Sequence, residues 1–318
     1  MAISTDWIIL LILSLVTFPQ YVNSNSIPTP NPQGGTLIPK TIIQSAIEKG
    51  AVCLDGSPPA YHFSPGKGED ASNWLIYLQG GGWCMSNDAY STPDFSVQSC
   101  PNRAAGDLGS SLNITTFEFK GFFGTNEKNT YFYKWNRVVI RYCDGGSFAG
   151  DLENPDPVTK LYYRGARIFQ VVVDELMAKG MKAAKNVIFA GGSAGGLGVL
   201  CFQPINLVQY VKSPLFIVHS AFDSFQVRNT FSMDLYNAIK NHSSVCPNFR
   251  EQIISALPDS SATKGFIVTS RFGHGFALNY YKTKMLADQN STTIESAFYD
   301  WYFDKRPVNL IDPSNVPN

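Results

Sequence analysis

The chain has 318 residues, of which 44% are hydrophobic, and its 25 basic residues balance 25 acidic ones. After removal of a leader, this length and composition fit one large α/β domain with a sizeable core. The balanced charge gives no reason to expect nucleic acid or a strongly acidic molecule as a partner.

The N-terminal residues have the pattern of a secretory leader. Residues 7–18 form an apolar run that suits the core of a signal peptide and is short for a bilayer span. Val22 and Ser24 are small residues suitably placed before a cleavage site, which predicts a signal peptide over residues 1–24. Asp6 and the lack of basic residues before the run leave an uncleaved anchor as the alternative, although we expect no stable membrane insertion. The Pro-rich residues 25–36 are predicted to be a flexible lead-in to a single domain over residues 37–318.

Glycosylation sequons and cysteines agree with secretion. The sequons begin at Asn113, Asn241 and Asn290. The six cysteines, at positions 53, 84, 100, 143, 201 and 246, could form three disulfides, with fifteen pairings open. The chain contains neither C-x-x-C nor H-x-x-x-H, so we expect no metal site and no cofactor.

Beyond the lead-in, short apolar runs alternate with helical patterns. The predicted strands cover residues 74–78, 138–142, 187–190, 215–218 and 265–269. Apolar residues recur at helical spacing over residues 162–179. This alternation predicts an α/β fold whose mostly parallel sheet is covered by helices on both faces. Active sites in such sheets lie at the carboxyl ends of the strands.

The first of these strands ends in Gly80-Gly81-Gly82-Trp83. This sequence has the form of the glycine-rich loop that supplies oxyanion donors in esterases. Gly82 and Trp83 are the best donors of backbone N–H groups, together with Ala194 after the third strand. A purely structural turn is the alternative.

The third strand leads into Gly191-Gly192-Ser193-Ala194-Gly195, a G-x-S-x-G pattern between a strand and a helix. On such a turn the serine hydroxyl stands clear of its neighbours, and the next N–H points where an oxyanion would form. A plain Gly-rich connection or a phosphate-binding turn is the alternative, but the Gly-Lys-Ser/Thr of a Walker loop is missing.

A serine nucleophile needs a base and an orienting acid, which follow it in this order in α/β-hydrolase sheets. Asp223 comes directly after the strand at residues 215–218, and His274 follows the strand at residues 265–269. Of the other histidines, His62 precedes the whole site, His219 lies at a strand end, and His242 lies inside a sequon. Ser193, Asp223 and His274 are therefore the predicted catalytic residues.

Four segments, at residues 51–61, 74–84, 141–148 and 191–196, resemble plant pectin acetylesterases and, more distantly, animal Notum carboxylesterases. The resemblance implies an α/β-hydrolase-like fold and metal-free removal of acetyl groups from cell-wall pectin. It supports the roles assigned to Ser193, Asp223 and His274. It also implies the disulfides Cys53–Cys143 and Cys84–Cys100.

The chain departs from this family after the nucleophile helix. Only thirty residues separate Ser193 from Asp223 (223 − 193), whereas the family has a long segment with a further strand there. We therefore expect a sheet that lacks one family strand, with the join near Leu200-Cys201. An open sheet would leave the two neighbouring strands unpaired, at a cost in stability. The pairing of Cys201 and Cys246 stays open.

These features favour a secreted, monomeric serine esterase that deacetylates cell-wall pectin through an acyl-enzyme. Two alternatives remain open. The shortened chain could be a catalytically impaired variant or a non-catalytic protein that binds wall polysaccharide. With the same chemistry, it could instead act on a lipid or peptide ester.

Overall fold

The structure is a computed structural model that describes residues 7–12, 35–85, 98–127, 130–201, 214–230, 233–241, 249–255, 257, 261, 263–276, 278–286 and 292–317. In chain order its strands are β1 Trp7–Ile12, β2 Thr36–Ile42, β3 Ala60–Ser64, β4 Asn73–Leu78, β5 Cys84–Met85, β6 Gln98–Ser99, β7 Thr116–Phe119, β8 Asn136–Ile140, β9 Asn186–Gly192, β10 Leu215–Ser220, β11 Lys264–Thr269 and β12 Asn309–Ile311. Its α-helices are α1 Cys100–Ala104, α2 Gly165–Ala178, α3 Ala194–Cys201, α4 Ser224–Thr230, α5 Met233–Lys240, α6 Phe249–Ser255 and α7 Ile294–Phe303. Short 3₁₀ helices cover Gln44–Lys49, Gly68–Ser72, Gly121–Phe123 and Met181–Ala183.

Ten of the described strands form one sheet, in the order β12-β11-β10-β1-β9-β4-β8-β3-β2-β7. The strands from β12 to β8 pair in parallel, and β3, β2 and β7 continue the sheet in antiparallel pairing. β5 and β6 form a separate short parallel pair. The predicted α/β class with a mostly parallel sheet is therefore confirmed.

The five strands predicted from apolar runs correspond to β4, β8, β9, β10 and β11, with ends that differ by at most two residues. The predicted helix over residues 162–179 corresponds to α2. The antiparallel edge was not predicted. β2 is mostly exposed and contains Pro39, so it lacks the apolar run that marks a buried strand.

Helices cover the sheet on both faces, and β4 shows why. Ile76 and Leu78 belong to the same apolar cluster as Ile168 of α2, whereas Leu75 packs in the opposite cluster with Phe298 of α7. Alternate strand residues point to opposite faces, so a strand that is apolar throughout needs partners on both sides. Each such side chain stabilises the fold by about 1.5–3 kcal/mol.

β1 lies in the middle of the parallel sheet, between β9 and β10. Its backbone pairs with β9 from Trp7↔Val187 to Ile12↔Gly192, and with β10 from Ile9↔Leu215 to Leu11↔Ile217. Residues 7–12 thus fill the space between β9 and β10, the two strands between which the sequence predicts a missing strand. The leader over residues 1–24 stays a prediction. β2 begins at Thr36.

Candidate active site

Ser193 lies on a strained turn at the carboxyl end of β9. β9 ends at Gly192, α3 begins at Ala194, and Ser193 between them has a φ of +55°. A non-glycine residue in this left-handed region costs about 1–3 kcal/mol and persists only where its surroundings hold it there. Ser193 is partly exposed. The turn thus has the strand–turn–helix geometry that presents a serine nucleophile.

The glycine loop after β4 packs directly against this turn. A Cβ at Gly80 would overlap the carbonyl oxygen of Gly192 and lie 2.9 Å from the Cβ of Ser193. A Cβ at Gly195 would overlap the carbonyl oxygen of Leu78, where β4 ends. Only glycine fits at these two positions, because backbone meets backbone there.

Asp223 and His274 form a hydrogen-bonded pair at the same edge of the sheet. Asp223 is 1% exposed and follows β10, and His274 lies beyond the end of β11. Nδ1 of His274 lies 2.9 Å from Oδ2 and 3.1 Å from Oδ1 of Asp223. Oδ1 also accepts the N–H groups of Phe225 and Gln226 at 3.1 and 3.0 Å. These donors hold the carboxylate in place, and a proton on Nδ1 of the neutral ring leaves Nε2 to act as a base.

Ser193 follows β9, whereas the Asp223–His274 pair follows β10 and β11. β1 separates β9 from β10, which puts the two strands about 10 Å apart at roughly 4.8 Å per strand. The structure therefore brings Asp223 and His274 together, and Ser193 lies at the next but one strand end.

The three predicted oxyanion donors lie on either side of Ser193. Gly82 and Trp83 follow Gly80 in the loop that contacts the turn, and Ala194 is the first residue of α3. Helix N-termini carry N–H groups without intrahelical partners, which suit a developing negative charge. The indole Nε1 of Trp83 donates a 2.6 Å hydrogen bond to Oγ of Ser147. The loop is thus tied to a second segment of the protein.

Two disulfides lie close to this loop. Cys53 is joined to Cys143, which follows β8 by three residues, and Cys84 is joined to Cys100 at the start of α1. The second bridge connects the residue after Trp83 to α1. The Cys201 side chain and Cys246 lie outside the described residues.

Tyr142, Asp144 and Ser147 are part of the site environment, although the sequence analysis gave them no role. They lie in the segment at residues 141–148, one of those that carried the family resemblance. The Tyr142 hydroxyl accepts the N–H of Ser147 at 3.0 Å, and Oδ2 of Asp144 accepts the N–H of Phe148 at 2.9 Å. Burial raises the pKa of Asp144 from 3.8 to about 6.

The two other described histidines are buried in strands. Nδ1 of His62 bonds the Ile38 carbonyl at 2.8 Å, and burial lowers the His62 pKa to about 4. Nδ1 of His219 bonds the Ser220 carbonyl at 2.6 Å, and burial likewise lowers its pKa. Both rings have structural partners. His242 lies outside the described residues.

Of the predicted glycosylation sites, Asn113 and Asn241 are exposed, and Asn290 lies outside the described residues. In the described ranges, no group of three or more His, Cys, Asp or Glu side chains could hold a metal ion. Over the same part of the chain, no helix is both long enough and apolar enough to cross a membrane.

Comparison with known proteins gives consistent matches along the chain. A family model described as Pectinacetylesterase matches residues 32–200 and 198–318. Pectin acetylesterase 11 of Arabidopsis thaliana is 31% identical over 370 residues, covering 89% of this chain and 92% of the relative. Pectin acetylesterase 7 of the same plant is 32% identical, covering 90% and 93%. Palmitoleoyl-protein carboxylesterase NOTUM of Schmidtea mediterranea is 34% identical over 151 residues, which cover 46% of this chain and 27% of that protein.

Proposed function

The chain belongs to the pectinacetylesterase family and is a carboxylic ester hydrolase, and from this premise we propose that it removes acetyl groups from pectin by a serine mechanism. Ser193 is the nucleophile, His274 the general base, and Asp223 the acid that orients the imidazole. The N–H groups of Gly82, Trp83 and Ala194 form the oxyanion hole.

In the acylation half of the reaction, the Ser193 hydroxyl attacks the acetyl carbonyl carbon while Nε2 of His274 takes the hydroxyl proton. The carbonyl oxygen becomes an oxyanion, which the three N–H groups stabilise. Collapse of the tetrahedral intermediate breaks the bond to the sugar oxygen, which takes the proton from His274. The products are the free sugar hydroxyl and an acetyl ester on Ser193.

Deacylation repeats these steps with water as the nucleophile. His274 takes a proton from the water as it attacks the acetyl ester, and the same donors hold the second oxyanion. Return of the proton to Oγ releases acetate and restores Ser193. The reaction thus balances with water alone as the second substrate.

The single observation that carries this proposal is the Asp223–His274 pair at the strand edge where the Ser193 turn also ends. The carboxylate of the pair is held by two backbone donors. The packing of Gly80 against Ser193 adds support, since it brings a second loop of N–H donors to the nucleophile.

We also propose that the protein is secreted to the cell wall and acts there as a monomer. Two disulfides and two exposed sequon asparagines suit an oxidising, glycosylating pathway. Expression in a secretory plant host tests this through N-terminal sequencing of the wall fraction, glycosidase treatment and light scattering. An unprocessed, unglycosylated intracellular product would contradict secretion.

The decisive experiment for the chemistry compares acetate release from acetylated pectin by wild-type protein, Ser193→Ala and Ser72→Ala. Ser72 is a matched control, because its buried hydroxyl has no hydrogen-bond partner among the residues that the structure describes, and it precedes β4 at the amino end of the strand. We expect Ser193→Ala to abolish turnover and Ser72→Ala to retain it. Acetate release that survives Ser193→Ala would exclude the mechanism. Nitrophenyl esters of longer acyl chains, run in parallel, distinguish an acetylesterase from a lipid or peptide esterase.

A second candidate function is a catalytically impaired variant that retains only polysaccharide binding. The family match breaks into two parts that meet at residues 198–200, which favours this candidate. We infer from this break that a family segment is absent at the join. Folded, pectin-binding protein without turnover of a small acetate ester would support this candidate over the hydrolase.

A further inference from the structure

Two buried side chains hold the backbone carbonyl groups of the glycine loop. Nη1 of Arg103 donates to the carbonyl oxygen of Gly81 at 2.8 Å, and the Tyr142 hydroxyl donates to the carbonyl oxygen of Gly82 at 2.7 Å. Arg103 is 1% exposed and Tyr142 is 0% exposed. Both side chains are therefore withdrawn from water, and a buried donor is costly to leave without a hydrogen bond.

These carbonyl groups share peptide planes with the proposed oxyanion donors. The carbonyl of Gly81 and the N–H of Gly82 belong to one peptide unit, as do the carbonyl of Gly82 and the N–H of Trp83. In a planar trans peptide the C=O and N–H bonds point in opposite directions. A side chain that fixes the carbonyl on one side therefore fixes the N–H on the other.

We propose that Arg103 and Tyr142 are positioning residues that set the direction of the Gly82 and Trp83 N–H groups. This inference rests on the proposed function, since it assigns a purpose to the oxyanion hole of that reaction. Arg103 and Tyr142 do not touch the substrate. They pull the two carbonyl oxygens to the buried side of the loop, so that both N–H groups face the side on which Ser193 lies.

The surrounding contacts make this arrangement rigid. The Arg103 guanidinium lies 5.0 Å from the centre of the Tyr142 ring, and its Nε donates to the Leu108 carbonyl at 3.1 Å. The Cys84–Cys100 disulfide joins the end of the glycine loop to α1, the helix that carries Arg103. On the other side, Ser147 accepts the Trp83 indole and donates its own N–H to Tyr142.

The glycine loop itself depends on this clamp. Gly82 has a φ of +65°, in the left-handed region that residues other than glycine rarely adopt. Because glycine has no Cβ, it can also change to other backbone conformations at little cost. Without the two carbonyl anchors, the peptide planes at Gly81–Gly82 and Gly82–Trp83 could rotate at little cost. Preorganised donors are what makes an oxyanion hole effective, because they cost no reorganisation as charge develops.

The test uses Tyr142→Phe and Arg103→Lys in the full chain, with Tyr61→Phe as the matched control. Tyr61 is equally buried, and its hydroxyl lies 3.4 Å from Glu175 of α2 rather than on the glycine loop. Each variant is assayed for kcat and KM on p-nitrophenyl acetate and for the Ki of trifluoroacetone. This ketone adds to a serine nucleophile and places a stable oxyanion where the tetrahedral intermediate has one.

We expect Tyr142→Phe to lower kcat by roughly 10- to 100-fold, less than the full loss of an oxyanion donor. KM should stay within about twofold, and the Ki of trifluoroacetone should rise by the same factor as kcat/KM falls. Arg103→Lys should likewise lower kcat and raise the Ki of trifluoroacetone. Lysine keeps the charge but cannot bond the Gly81 and Leu108 carbonyl groups together. Tyr61→Phe should leave kcat and the Ki of trifluoroacetone unchanged.

A fall in kcat with an unchanged Ki would overturn the proposal, since it reports fewer active molecules rather than a weaker oxyanion hole. Unchanged kcat and Ki in both variants would overturn it as well. If Tyr142→Phe fails to fold, the kcat and Ki of Arg103→Lys are judged by the same two criteria. Failure of the proposed function is distinct, since it appears as full activity in Ser193→Ala.

Discussion

The Asp223 carboxylate contacts the His274 ring, whose Nδ1 lies 2.9 Å from one carboxylate oxygen and 3.1 Å from the other. The two residues lie on different loops, 51 positions apart, and their loops also pair at Asp223↔Gly273. The Phe225 ring lies 5.0 Å from the imidazole and limits its movement. The histidine is thus set in one tautomer and one orientation before any substrate arrives.

Replacing Asp223 by Asn tests this relationship. Asn presents an N–H₂ group where the ring N–H needs an acceptor, so the wrong tautomer is favoured. We expect kcat on p-nitrophenyl acetate to fall by about 10⁴-fold, the loss known for the equivalent change in a serine protease triad. Asp156→Asn, in an exposed turn, serves as the control. A fall of less than tenfold in a folded Asp223→Asn protein would remove Asp223 from the catalytic group.

Gly80→Ala tests the contact between the glycine loop and the nucleophile turn. The new methyl group would overlap the Gly192 carbonyl and crowd Ser193, which should destabilise the fold by about 1–3 kcal/mol and lower kcat. At Gly106 the nearest atom to such a methyl group is 3.6 Å away, so Gly106→Ala should change neither quantity. Thermal melts and kcat measure both effects. Equal behaviour of the two variants would mean that the loop and the turn do not touch.

Asp144→Asn should change the pH dependence of stability. Burial raises the Asp144 pKa from 3.8 to about 6, with the Arg103 charge opposing that rise. The folded state therefore binds the proton more tightly than the unfolded state, and the wild type loses stability as pH rises from about 4 to 6. Asn can accept the same N–H groups of Gly146 and Phe148 without ionising.

The expected result is a gain in the stability of Asp144→Asn relative to wild type as pH rises through that window. The gain is at most about 3 kcal/mol, because each pKa unit corresponds to about 1.4 kcal/mol. Urea unfolding of both proteins at each end of the window measures it, and the contribution of His62 cancels in the difference. A pH-independent difference would show that Asp144 titrates normally.

Removal of residues 1–24 should leave a folded chain, because the proposed secretion removes these residues as a leader. β1 pairs with β9 over six positions and with β10 over three, and the shorter chain would leave these groups unpaired. A loss that is a large part of a total stability of about 5–15 kcal/mol would contradict removal of the leader and make β1 part of the working protein. Thermal melts and amide exchange at Ile188 and Phe216 compare chains 1–318 and 25–318. Equal melting and exchange would show that the sheet does not need β1, as expected if these residues are a leader.

Much of the site was predictable because each proposed catalytic residue directly follows an apolar strand. Ser193, Asp223 and His274 lie just beyond β9, β10 and β11, and parallel strands bring their carboxyl ends to one edge. This rule needs only the apolar runs and the chain order. It does not give distances, so it could not reveal that β1 separates the serine strand from the other two.

Other features depend on contacts that no local pattern encodes. Six apolar residues look alike in a leader and in a buried strand, so the place of residues 7–12 was not predictable from them. Arg103 lies in a short helix without an apolar period, and its contact with Gly81 spans 22 positions. Tyr142 lay inside a motif of the family resemblance, which signalled importance without indicating a partner.

The most direct test of the central claim is to trap the acetyl-enzyme. Wild-type protein is mixed briefly with p-nitrophenyl acetate, quenched in acid and digested. The mass of the peptide that contains Ser193 is then measured by mass spectrometry. We expect one added acetyl group on Ser193 in the wild-type protein. Asp223→Asn should accumulate less of this acetyl-enzyme, and Ser193→Ala should carry none. Steady turnover with no acetyl group on this peptide, or the same label in Ser193→Ala, would contradict it.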